Sequence, residues 1–113
     1  MKVKAKANLD GTISMLEKGN KKLRFEVSSQ VRKDSNFYIP KDRGTLEESS
    51  LTSSDLENGI IRWTTPYARR LYWNPQYNFS HDANPNARGL WFEAAKAERM
   101  SDWIRKGAEA YFE

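Results

Sequence analysis

Apolar and polar positions alternate strictly over Lys2 to Leu9, with Val3, Ala5, Ala7 and Leu9 on one side and Lys2, Lys4, Lys6 and Asn8 on the other. A period of two marks a half-buried strand. Alanine is a weak strand former, so residues 1–9 read either as a strand or as a basic arm. Asp10-Gly11 then turns the chain. From Met15 onward the pattern changes: Leu16, Leu23, Val27, Val31 and Tyr38 recur at intervals of three and four or their sums, with charged residues between them. That spacing predicts an amphipathic helix over 15–39, with its regular part starting near Asn20. Pro40 ends it, because the residue before a proline is driven out of helical geometry.

The segment 46–64 reads as a β-hairpin. Gly44 gives the preceding turn its backbone freedom, and Leu51 and Ser53 share one face of a short stretch near Glu48 to Leu56. Asn58-Gly59, placed before Ile60-Ile61-Arg62-Trp63-Thr64, is a strong short-range hairpin signal. Thr65-Pro66 opens a short helix over 65–73, with a hydroxyl cap followed by a proline at the first helical position. Tyr67 and Leu71 then share one face and Ala68 and Tyr72 another, while Arg69 and Arg70 point elsewhere. The aromatic and basic residues are therefore not one continuous strip, and some of the rings should pin this helix onto the sheet. Residues 74–89, with Pro75, Pro85 and several asparagines, form a long irregular loop. Tyr77 and Phe79 suit a loop that orders against a neighbour better than a solvated linker. A second long helix occupies 90–112, with Phe92, Ala95, Trp103, Gly107 and Tyr111 on or near a common stripe. Pro40, Gly44, Asn58, Gly59 and Pro66 are the structural turn positions. The fold class expected is α+β: one domain over 1–113, with a small antiparallel sheet and β-hairpin packed against two long helices and one short helix.

Composition narrows the function. The chain has 113 residues, 38% of them hydrophobic and 30% charged, so it can build only one modest core, and oligomerisation is a reasonable source of further burial. A net charge of +4 and a pI near 9.4 are compatible with passing close to DNA without demanding it. No cysteine is present, which excludes disulfides, thiolate zinc sites and thiol nucleophiles. No apolar run approaches the roughly 20 residues of a membrane span. The N-terminus has no hydrophobic signal core, which leads to the expectation of a chain kept in a cytoplasm or packed into a particle.

Catalytic chemistry is poorly supplied. His81, the single histidine, has Asp82 beside it in sequence, but adjacent residues rarely orient one another as base and carboxylate, and no nucleophile motif accompanies them. Glu47 and Glu48 would point to opposite faces of a strand and share no ion. Lys41-Asp42-Arg43-Gly44 is too short for a phosphate-cradling loop. Lys21-Lys22 and Arg32-Lys33 read as the solvated face of a helix. No catalytic, metal or cofactor-binding residue is assigned.

The densest aromatic and basic stretch is Thr64 to Phe79, TTPYARRLYWNPQYNF. Its rings could stack on bases and its arginines could neutralise phosphates. The same residue types anchor protein–protein interfaces. Nothing inside the stretch decides between these uses.

Taken in order, Tyr38-Ile39-Pro40-Lys41-Asp42-Arg43-Gly44-Thr45-Leu46-Glu47-Glu48-Ser49, then Trp63-Thr64-Thr65-Pro66-Tyr67-Ala68-Arg69-Arg70-Leu71-Tyr72, then Gly89-Leu90-Trp91-Phe92-Glu93-Ala94-Ala95-Lys96 and Asp102-Trp103 resemble the small minor capsid proteins of tailed bacteriophages, which are similar to phage neck and tail-completion proteins. The resemblance spans Tyr38 to Trp103 and, more weakly, the first helix. Arg43 departs from it, standing where the family usually has threonine before the glycine. The departure weakens a local turn hydrogen bond and leaves Gly44 and Leu46 in place.

The resemblance implies a structural virion protein of the head–tail neck, assembled in the bacterial cytoplasm, and no enzymatic activity. Its implied partners are other copies in a ring, a head-closure or portal-side connector protein, and a tail-terminator or tail-tube protein. Phage double-stranded DNA would pass nearby without sequence readout, and no membrane is involved. On this reading Tyr67, Arg69, Arg70, Tyr72, Trp73, Tyr77 and Phe79 are subunit-interface anchors. The alternative is a small single-stranded nucleic-acid-binding module that uses residues 67–79.

Overall fold

The computed structural model describes residues 5–7, 13–15, 21–41 and 44–112, with side chains described over 21–41 and 44–109. The expectations at Lys2, Val3, Lys4, Asn8, Leu9, Asp10-Gly11, Leu16, Asn20 and Arg43, and the side chain of Tyr111, lie outside those residues. In chain order the elements are strands β1 (Ala5–Ala7) and β2 (Ile13–Met15), helices α1 (Lys21–Asn36) and α2 (Thr45–Ser53), a 3-10 turn (Leu56–Asn58), strand β3 (Ile60–Ile61), and helices α3 (Ala68–Tyr72) and α4 (Trp91–Phe112).

The protein is mostly helical, which corrects the α+β expectation. Among the described residues, extended structure amounts to three fragments of two or three residues, paired antiparallel in the order β1-β2-β3. The hairpin expected over 46–64 is the specific error, since its first half is helix α2. Leu46, Ser49 and Ser50 are the buried face of that helix, at helical spacing. The serines can be buried because each hydroxyl donates back to a carbonyl three residues earlier, Ser49 to Leu46 and Ser50 to Glu47, both at 2.6 Å. Glu47 and Glu48 sit in the first turn, where negative charge is favoured. Asn58 and Gly59 do turn the chain, by closing the 3-10 turn: Gly59 is left-handed at φ 72° and its amide bonds to Leu56 O at 3.0 Å. Asp55 and Ile60 exchange two backbone hydrogen bonds around that turn.

The core is built by α1 lying antiparallel to α4. Glu26 meets Lys106 at 3.7 Å, Trp103 Nε1 donates to Asp34 Oδ2 at 2.7 Å, and the Tyr38 hydroxyl donates to Glu98 at 2.7 Å, so one helix ascends as the other descends. Leu23, Val27 and Val31, spaced by fours, face Phe92, Ala95 and Trp103 within one buried cluster. Trp91, the first residue of α4, is the hub of the other end. Its ring meets Trp63 at 5.8 Å and Tyr72 at 4.7 Å, both edge to face. Asn36 closes the α1 end by accepting from Trp63 Nε1 at 2.9 Å and donating to Ser50 Oγ at 3.1 Å. One buried asparagine thus joins α1, α2 and the segment that follows β3.

Candidate functional site

The loop 74–89 decides which residues remain free for a partner. Its second half is fastened to this chain. Asn84 Nδ2 donates to Phe37 O at 2.9 Å and Ile39 O at 2.8 Å, capping the carbonyl end of α1, and Arg88 N donates to Tyr38 O at 2.9 Å. His81 Nε2 lies 3.1 Å from Ala87 O, within the same loop. Gly89 passes so near the end of α3 that a Cβ there would sit 2.8 Å from Leu71 O and 2.9 Å from Pro75 Cα. The next residue, Leu90, takes φ 49°, a left-handed conformation unusual for a side chain of its size, and its amide bonds Tyr72 O at 2.9 Å. Asn84 was not singled out from the sequence. An asparagine in a loop rich in asparagines carries no signal of its own.

Around this strap the seven residues expected at a subunit interface separate into three groups. Tyr72 is fully buried in the core against Trp91, so it anchors α3 to α4 and is not a surface residue. That corrects its assignment as an interface anchor. Ala68 shares its buried face, as period and chain geometry require. The Tyr72 hydroxyl has no partner in hydrogen-bonding geometry. Burial, and then the nearby Glu93 carboxylate, push its ionisation upward, partly offset by the Glu93 backbone. Phe79 is half-buried and lies beside Tyr77, with ring centroids 6.4 Å apart.

The remaining residues face out. Tyr67, Trp73 and Tyr77 are exposed by 36%, 37% and 42%, large values for rings of this size, and Arg69 and Arg70 are exposed as well. Neither guanidinium has an ion pair among the described residues. Two shallow depressions flank α3. One is lined by Pro66, Arg69, Arg70, Trp73 and Asn74, and the other by residues that include Pro40, Leu71, Tyr77 and Phe79. Pro66 stands in the turn before α3, and Pro40 follows α1. Gly44, at φ 72°, leads into α2.

Among the described residues no group of three or more His, Cys, Asp or Glu is arranged to hold a metal ion, and no helix is long and apolar enough to cross a membrane. Glu47, weighed above as half of an acid pair, lies 3.5 Å from Lys41.

Fold and surface together define a class: a small, mostly helical module that presents exposed rings and cations beside a tightly fastened loop. The family described as minor capsid protein matches residues 3–110, nearly the whole chain, and the chain belongs to that family. It is a structural virion protein of a bacteriophage. No curated protein and no solved structure matches it.

Proposed function

We propose that this chain is a neck subunit of the tail-completion type, forming part of a ring between the DNA-filled head and the tail. In such a ring each copy presents one surface to the next and a different surface to the previous one, as closure by rotation requires. The observation that supports this reading is the outward face of α3 and the loop after it. Tyr67, Trp73 and Tyr77 leave ring surface in water beside Arg69 and Arg70, whose charges have no counter-ion among the described residues. Aromatic rings and arginine are the residue types that dominate the energetics of protein contacts once water is excluded.

The partners above and below the ring are a portal-side closure protein and a tail-terminator or tail-tube protein. DNA passes through the lumen and is met by charge alone. The nucleic-acid-binding alternative loses its central platform, because Tyr72 is buried and cannot receive a base.

The test is genetic and structural. Virions lacking this chain are expected to stall as filled heads without tails. Arg69→Glu combined with Trp73→Ala is expected to reproduce that arrest while the protein still folds. Tailed, infectious particles in the absence of the chain would refute the neck assignment.

A further inference from the structure

Charge along this chain is segregated in a way the fold turns into two surfaces. Gly44 to Glu57 carries Glu47, Glu48, Asp55 and Glu57 and no base, while Asn58 to Ser80 carries Arg62, Arg69 and Arg70 and no acid. The acidic stretch is α2 and the turn after it; the basic stretch contains α3. On the outward side of α2, Leu51 stands 60% exposed, the most exposed large apolar side chain among the described residues. Glu48 lies one turn before it, exposed, on the same outward side. Glu47, by contrast, lies 3.5 Å from Lys41 and is occupied within the chain. The depression on α3 has the complementary character: Pro66 and Trp73 supply an apolar lining, and Arg69 and Arg70 supply positive charge without a counter-ion among the described residues.

We infer that the outward face of α2 in one copy, centred on Leu51 and Glu48, docks into the Arg69–Arg70–Trp73 depression of the next copy. The occupant is a second copy of this chain, because the apolar projection and the acid that would satisfy the depression are both on the chain itself. The two patches are different surfaces, so repetition of the contact is head to tail, the geometry a ring needs. Opposite charges at the rim would steer and orient the encounter, while Leu51 and Trp73 would supply the buried centre. The inference rests on the reading that copies of this chain touch one another.

The absence of cysteine makes a clean test possible. Full-length Thr52→Cys and Asn74→Cys chains, which flank the contact and keep Leu51, Glu48, Arg69, Arg70 and Trp73, one isotopically labelled, are mixed and oxidised mildly, with Lys33→Cys on the exposed side of α1 as the control. The unlike pair should form disulfide-linked dimers about tenfold or more in excess of either like pair and of any pair with the control, because docked thiols meet at a high effective concentration. Glu48→Arg placed on the Thr52→Cys chain should depress the yield, and Arg69→Glu on the partner chain should restore it. Equal yields for all pairings, or no restoration by the double swap, would overturn the contact. If the chain is found in necks without this cross-link, the docking mode falls and the neck reading stands. If the cross-link forms and the chain is absent from necks, the reverse holds.

Discussion

At the scale of single residues, the fate of the aromatic side chains carries the functional reading. Tyr72 and Trp73 are neighbours in sequence, with ring centroids 4.9 Å apart, yet one is enclosed and the other faces water. The Tyr72 phenol lies in the core without a hydrogen-bond partner in good geometry, and only the Glu93 backbone offsets part of its desolvation. Tyr72→Phe is therefore expected to leave the protein as stable or to stabilise it by about 1 kcal/mol, read from chemical denaturation at neutral pH. The pH dependence follows with a defined sign. The folded-state ionisation lies above the ordinary value of 10.0, so the residue's contribution is fully present below that pH and is lost as pH rises beyond it. The wild-type protein should lose stability above pH 10 more steeply than Tyr72→Phe; identical alkaline profiles would contradict burial of the phenol. Asn36 is the opposite case, a polar side chain that is fully used. Asn36→Ala would strand Trp63 Nε1 and remove the bond that Ser50 Oγ accepts, though the Ser50 hydroxyl keeps Glu47 O, and should cost about 1–3 kcal/mol by the same measurement.

At the scale of elements, the two long helices and the short helix α3 are legible in the sequence and α2 is not, for one physical reason. Leu23, Val27 and Val31 on α1, and Phe92, Ala95 and Trp103 on α4, put apolar side chains at helical spacing, so pattern and burial coincide. Helix α2 buries Ser49 and Ser50 beside a single leucine, and a pattern of apolar residues cannot report a face made of hydroxyls that satisfy themselves. The Asn58-Gly59 signal was real as a turn, but it closes a 3-10 segment instead of joining two strands. For the candidate surface, sequence located the stretch and left open which ring turns inward, because that depends on where Trp91 arrives from the far end of the chain. The strap 81–89 was also invisible, since Asn84 acts on carbonyls some 45 residues away in sequence. Its role can be tested by comparing two glycines. Gly89→Ala would drive a methyl into backbone at 2.8 Å and should cost about 1–3 kcal/mol or more, with faster amide exchange across 81–90. Gly44→Ala meets nothing within 4 Å and should cost about 1–2 kcal/mol through its positive φ alone, with exchange in the strap unchanged. Equal loss of protection in both variants would mean that the strap is not held by close packing at Gly89.

At the scale of the whole molecule, the chain is a narrow body of 43 × 24 × 21 Å whose core is filled by two antiparallel helices and a cluster of tryptophans. Its small core leaves several large side chains outside, and in the proposed ring those are the surfaces offered to neighbours. Tyr77→Ala should therefore leave the isolated chain folded, with a stability change within about 0.5 kcal/mol, and Trp73→Ala, which removes a ring packed on Tyr72 at 4.9 Å, should cost about 1 kcal/mol, while incorporation of both into particles, followed by peptide mass spectrometry of purified virions, falls further than stability accounts for. Loss of folding in proportion to loss of incorporation would assign these rings to the chain's own stability.

The central claim is that the outward face of α3 is a contact between copies in the neck. A cryo-electron microscopy reconstruction of the head–tail junction, made with and without imposed ring symmetry, tests it most directly. This chain is expected in a closed ring, with Arg69, Arg70 and Trp73 covered by the adjoining copy. A ring in which those side chains face open solvent in every copy, or a map that puts the chain elsewhere in the particle, would contradict it.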